Sequence, residues 1–202
     1  MRRSVSITLV LAALALMSSS ASFAGVPGLG KMWTFGVGGG AAVPVNDAKD
    51  ALKNGYNALA YARVRVPIVG MTFGMNVSFH QLDLKDATVS TGGGSPTAVT
   101  GSTNVLSGFG DMRYDLMPGP IHPYITAGLG VYNMKTSYSA TGLSGSESGT
   151  HFGINGGAGV ALHFGALSGY AQARIDNVYT DTGGVVDTKS IQVVPVTVGI
   201  EF

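Results

Sequence analysis

The chain has 202 residues, including 31 Gly, 12 Lys or Arg, 11 Asp or Glu and no Cys, and 45% of it is hydrophobic. One domain's worth of chain without cysteine is not a disulfide scaffold, a CxxC redox protein or a cysteine-ligated zinc or iron–sulfur site. The glycines keep no three-residue period and only 8 residues are Pro, which excludes collagen and a disordered linker.

Met1-Arg2-Arg3 makes a positive start, the apolar run from Val5 to Met17 is short for a bilayer span, and Ser22-Phe23-Ala24 offers the small residues a signal peptidase reads. Residues 1–24 are expected to be a cleaved signal peptide and 25–202 the mature domain. Removing Arg2 and Arg3 takes the basic count from 12 to 10 against 11 acidic residues. A near-neutral chain of this kind has no electrostatic footprint for nucleic acid, and no such partner is expected.

Beyond Lys31 no apolar run reaches the length of a membrane helix. What recurs is alternation with a period of two over roughly ten to thirteen residues, the pattern of strands that cross a bilayer as a closed barrel. The segments 33–45 and 56–66 carry it imperfectly. In 71–80 it is cleanest: Met71, Phe73, Met75, Val77 and Phe79 alternate with Thr72, Gly74, Asn76, Ser78 and His80. Less pure versions occupy 105–116 and 124–134. In 151–164 Phe152, Ile154, Ala158, Val160, Leu162 and Phe164 share a face; 169–176 is short; 191–202 closes with Val194, Val196, Val198, Ile200 and Phe202 on one face. These are the elements of an all-β, eight-stranded antiparallel up-and-down transmembrane barrel.

Connections at 67–70, 117–122 and 165–168 are short, whereas 46–54, 83–104, 135–150 and 177–190 are long, polar and expected to be loops. Outer-membrane barrels place short turns in the periplasm and long loops outside. The eight charged residues within strands, Arg63, Arg65, Asp111, Arg113, Asp115, Arg174, Asp176 and Glu201, all fall opposite the apolar face, while Lys31, Asp83 and Lys135 are outward at strand ends. A cation on the lipid face at mid-membrane costs about 2–4 kcal/mol, so this segregation is what a bilayer demands. Outward aromatics gather toward strand ends: Trp33, Phe73, Tyr114, Phe164 and Phe202 near the turns, and Tyr56, Phe79 and Phe152 near the loops. That is the arrangement of two interfacial girdles.

The stretches GGGAAVPV (38–45), HPYITAGLGVYN (122–133), FGINGGAGV (152–160) and VPVTVGIEF (194–202) resemble the outer-membrane protein β-barrel domain family, the small barrels related to OmpA, OmpX and opacity-type proteins. The resemblance covers essentially the whole mature chain. It implies export to the cell outer membrane, contact with the lipid bilayer and lipopolysaccharide, and a monomeric state. It also implies that the terminal Phe202 serves as the signal read by the outer-membrane assembly machinery. No peptidoglycan-binding segment follows Phe202, so that part of the OmpA role is not expected to carry over.

Chemistry is harder to find. His80, His122, His151 and His163 lack helical ligand spacing and are expected to lie apart along the barrel, as luminal or interfacial polar residues rather than a metal site. Ser78 and His80 share a face, but that face points inward, which disfavours a surface lipid hydrolase. The Gly-rich stretches at 128–130 and 156–159 precede no helix and are strand glycines rather than phosphate loops. No catalytic residue and no cofactor is expected.

Arg63, Arg65, Asp111, Arg113, Asp115 and Glu201 are expected to converge in the lower lumen as a salt-bridged plug, because an eight-stranded barrel is just wide enough to be filled by side chains. Higher up, Asn57, Asn76, His80, Tyr132 and Asn155 would line a small vestibule or, with Leu59, Tyr61 and Phe109, fill it. The expected function is a structural or surface-interaction barrel. The alternative is a narrow channel or small apolar-solute transporter.

Overall fold

The structure is a computed structural model that describes residues 32–66, 71–85, 87–89, 97–140, 143–164, 167–181 and 188–202. The expected signal peptide at 1–24 and the turn at 67–70 lie outside the described residues. In chain order the elements are β1 (Trp33–Val45), α1 (Ala48–Ala51), β2 (Gly55–Val66), β3 (Met71–Asp83), β4 (Ala87–Val89), β5 (Thr97–Asp115), β6 (Ile121–Ala140), β7 (Leu143–Phe164), β8 (Leu167–Asp181) and β9 (Thr188–Glu201). The strands pair antiparallel in the order β3-β2-β1-β9-β8-β7-β6-β5, and β3 also pairs with β5, closing a ring of eight. The short β4 pairs with β5.

The strands run further than the alternation suggests. Much of 83–104, 135–150 and 177–190, expected to be loop, continues the ladders: β6 and β7 pair without a break from Ile121↔Leu162 to Ala140↔Leu143. These extensions are rich in Ser, Thr and Gly on both faces. A ladder that has left the lipid needs no apolar face, so it loses the period-two signal while keeping its hydrogen bonds. The segment 46–54 holds the four-residue α1, entered through Asn46 at φ 52°. Ala48 and Leu52 tuck under it against Ala42, Leu82 and Val193. At the opposite end, the β5–β6 turn is closed by Leu116 N–H to the Pro123 carbonyl at 2.8 Å, with Gly119 at φ +143°. A side chain would strain that conformation.

Inside and outside are inverted relative to a soluble barrel. Met75, Val77, Leu129, Val131 and Val198 are exposed outward, while Arg63, Tyr61, Tyr124 and Tyr132 are buried within. Phe35 stacks between Trp33 and Phe202 at the turn end, and Tyr56 meets Phe79 at the loop end.

Register explains how so narrow a tube holds such large groups. Tyr61 lies directly across from Gly36, Phe109 from Gly130, Tyr124 from Gly159, Tyr170 from Gly199, Arg63 from Gly74 and Arg174 from Gly157. A Cβ at Gly36 would stand 2.1 Å from Cζ of Tyr61, and one at Gly159 2.5 Å from Cζ of Tyr124. One at Gly74 would stand 2.5 Å from Cγ of Arg63 and 2.6 Å from Oδ1 of Asp111. The bare backbone opposite is the space the large side chain occupies, the large-and-small alternation of small barrels worked out rung by rung.

Candidate functional site

At the turn end of the lumen six charged side chains and one phenol form a single chain of contacts. Arg65, at the mouth and 57% exposed, pairs with Asp115 at 3.1 Å. Asp115 also accepts from Nε of Arg113 at 2.8 Å, and Nη1 of Arg113 reaches Glu201 at 3.2 Å. β5 and β9 stand on opposite sides of the ring of eight, so this last contact crosses the lumen. Tyr61 donates its hydroxyl to Glu201 at 2.7 Å, and the Arg63 guanidinium lies 3.8 Å from the centroid of the Tyr61 ring. Arg63 then pairs with Asp111 at 2.9 Å.

A second level lies deeper. Arg174 is bound to Asp176 at 2.7 and 3.2 Å through Nε and Nη2, and Nε2 of His80 approaches Asp176 at 3.4 Å from the opposite wall. Each buried arginine is thus served twice, by a carboxylate on its edge and by a ring on its face: Tyr61 for Arg63, Tyr124 for Arg113 and Phe109 for Arg174. Stacking of this kind between desolvated groups is worth about 2 kcal/mol. With three arginines against Asp111, Asp176 and Glu201 in the buried set, formal charge balances. Balance is the condition under which buried ions are tolerated.

The structure brings together all six residues expected in the lower cluster, with Arg65 at its exposed margin. The five upper positions, Asn57, Asn76, His80, Tyr132 and Asn155, are all 6% exposed or less. Asn57 ties strands together, donating to the carbonyls of Ala41 and Val196 and accepting from Thr197. Asn155 donates to the Tyr132 hydroxyl, and Asn76 sits 3.5 Å from Arg63. They occupy the space at their level rather than bordering an open cup.

Sequence reading did not anticipate the Arg174–Asp176–His80 group. The inward alternation on β8 marked the first two, but only closure of the ring sets β3 opposite β8 and faces His80 to them. A second correction concerns His122 and His163, expected to lie apart. Their rings meet at 4.3 Å, because the β6–β7 ladder continues to the turn, with His163 N–H bonded to the Pro120 carbonyl. Among the described residues no three His, Asp or Glu side chains are grouped so as to hold a metal ion.

The Ser78–His80–Asp176 contacts do not form a nucleophilic relay. Ser78 Oγ lies 3.1 Å from Nε2 of His80, and the Asp176 carboxylate approaches that same nitrogen. A relay needs the hydroxyl on one ring nitrogen and the carboxylate on the other. Ser78 is also engaged by Ser107 at 2.6 Å, and both are buried away from any substrate.

A family model described as outer membrane protein beta-barrel domain matches residues 6–202. Among solved structures the chain is similar to Neisserial surface protein A, with a TM-score of 0.58 and 16% identity over 84% of this chain and 95% of that one. It is also similar to a major outer membrane protein of Thermus thermophilus, with a TM-score of 0.52 and 15% identity over 84% and 98% of the two chains. The attachment invasion locus protein Ail of Yersinia pestis is similar at a TM-score of 0.50 and 15% identity, over 84% and 97%. At these identities the likeness is one of fold. No curated protein matches the chain.

Proposed function

Because the chain belongs to the outer membrane protein beta-barrel domain family, we propose that it is a barrel with a closed lumen whose role is structural or is exercised at its outer surface. The observation that carries this reading is the unbroken contact chain from Arg65 to Asp111. Its cross-lumen link, Arg113 to Glu201, joins side chains 7% and 5% exposed. A solute would have to break ion pairs in a low-dielectric interior to pass, and separating one buried partner costs about 3–5 kcal/mol. What remains available is the outside: the lipid-facing wall and the extended β5–β7 ladders beyond it. In this reading residues 1–24 are removed on export, Phe202 is read by the assembly machinery, and the loop end meets lipopolysaccharide as a monomer.

Reconstitution into planar bilayers tests it. The barrel should pass no steady current, and the double substitution Asp111→Ala, Glu201→Ala should introduce discrete openings. Sustained current through the unmodified barrel would overturn the closed-lumen reading in favour of a narrow channel.

A further inference from the structure

The lipid-facing wall is not uniform. On β5 the outward positions Gly108 and Gly110 carry no side chain; a Cβ at Gly108 would meet nothing within 4 Å, and one at Gly110 only the Gly74 carbonyl at 3.8 Å. Their cross-strand neighbours are large and exposed: Val77 and Met75 on β3, Val131 and Leu129 on β6. At those two positions the result is a furrow with a backbone floor and two apolar walls, about 10 Å across from β3 to β6, flanked along β5 by the outward side chains of Leu106 and Met112. Toward the turn end it opens into an apolar hollow of about 280 Å³ lined by Met71, Met112, Tyr114, Ile125 and Ala127.

We propose that this furrow is a binding site for one acyl chain of a glycerophospholipid in the turn-side leaflet. Its length matches that occupant. From Gly108 to Tyr114 is six residues of strand, about 20 Å at 3.3 Å each. Strands tilted by about 40° bring that to about 15 Å of depth, half of a hydrocarbon core about 30 Å thick. The furrow and the hollow together therefore span one leaflet and end at Tyr114, where an interfacial aromatic belongs.

The chemistry follows from what a bilayer rewards. Between lipid and protein there is no hydrophobic driving force, only packing, so an unfilled furrow forfeits contacts on three sides. A flexible chain that lies over Gly108 and Gly110 and bends past Met112 into the hollow recovers them, whereas the knobs of a second barrel would have to interleave between Met75 and Leu129 over the same length. The site needs the barrel to span a membrane but not to be closed, so a conducting lumen would leave it standing.

Native mass spectrometry of barrels extracted in mild detergent tests the site. The unmodified protein should keep one phospholipid through washing that strips it from the Gly108→Leu, Gly110→Leu variant, with at least a tenfold fall in the bound fraction. Ala171→Leu, Ala173→Leu adds comparable bulk to the outward face of β8, away from the furrow, and should leave retention unchanged. Equal retention by the furrow variant, or none by the unmodified barrel, overturns the proposal. So does a wild-type dimer that the leucines dissociate. If the double leucine variant fails to fold, nuclear Overhauser contacts between phospholipid chain protons and the Met112 and Ile125 methyls of the unmodified barrel decide the matter, and their absence refutes the site.

Discussion

Removing Asp111 isolates the energetic logic of the lumen. Arg63 and Asp111 pair at 2.9 Å with side chains 2% and 3% exposed. In Asp111→Ala the guanidinium stays buried, its Nε and Nη1 already lacking protein partners and its nearest remaining acceptor Asn76 at 3.5 Å. Breaking one side of such a pair costs about 3–5 kcal/mol. The Tyr61 ring still covers the guanidinium face and holds the loss near the lower figure. About 3 kcal/mol is roughly a hundredfold in the folding equilibrium, at 1.4 kcal/mol for each factor of ten.

The pair itself is worth far less than its halves, since replacing both partners with apolar groups is often neutral. Arg63→Met, Asp111→Ala should therefore return to within about 1 kcal/mol of the parent. Urea unfolding from lipid bilayers, followed by fluorescence of the single Trp33 on the lipid face, reads both variants. If Asp111→Ala costs less than about 1 kcal/mol, or if the double variant is no better than the single, the pair is not a buried, mutually dependent unit.

Other expectations follow from the same geometry. Gly36→Val should block folding, because its Cβ would lie 2.1 Å from the Tyr61 ring, and adding Tyr61→Ala should restore the heat-shifted gel band; failure of Tyr61→Ala to restore it would exclude the clash as the cause. Val198→Arg, on the outward face of β9, should cost about 2–4 kcal/mol in bilayer unfolding, and a neutral result would mean the lipid face is misassigned. Deleting Phe202, which exchanges backbone hydrogen bonds with Phe35, should reduce the amount of barrel recovered in outer-membrane fractions more than it reduces refolding from urea. Equal losses would make the residue structural rather than an assembly signal.

The fold was legible because the bilayer imposes the plainest of patterns: apolar outside, anything small or polar inside, every second residue. Met71 to His80 reads that way from the sequence alone, and β3 includes it. Legibility failed where the lipid ends. The segment 135–150 has no face to keep apolar, so its ladder pairs Ser with Ser and Thr with Glu and looks like loop. The lumen was legible residue by residue but not in its connections. Alternation marks Arg113 and Glu201 as inward; it cannot say that they reach each other across the tube, or that His80 faces Asp176. Those contacts depend on which strands stand opposite once the ring has closed.

That dependence gives the inward charges a purpose beyond stability. A lumen of leucines would fill the same space, and buried ion pairs rarely outperform apolar packing. An apolar inner face, however, would leave both faces of every strand alike, and a slip of one residue would then cost little. With charges inside, a one-residue slip of β5 against its neighbours puts Asp111, Arg113 and Asp115 on the lipid side together. Near mid-membrane the cation alone would cost about 2–4 kcal/mol, besides the ions it leaves unpaired on β2 and β9. The slip would also turn Phe109 outward and set Gly108 or Gly110 against Gly130, leaving that rung of the lumen with no side chain to fill it. Charge and glycine therefore select one register between them: the ions penalise every odd slip, and the hollows opposite large side chains penalise the even ones that alternation would permit.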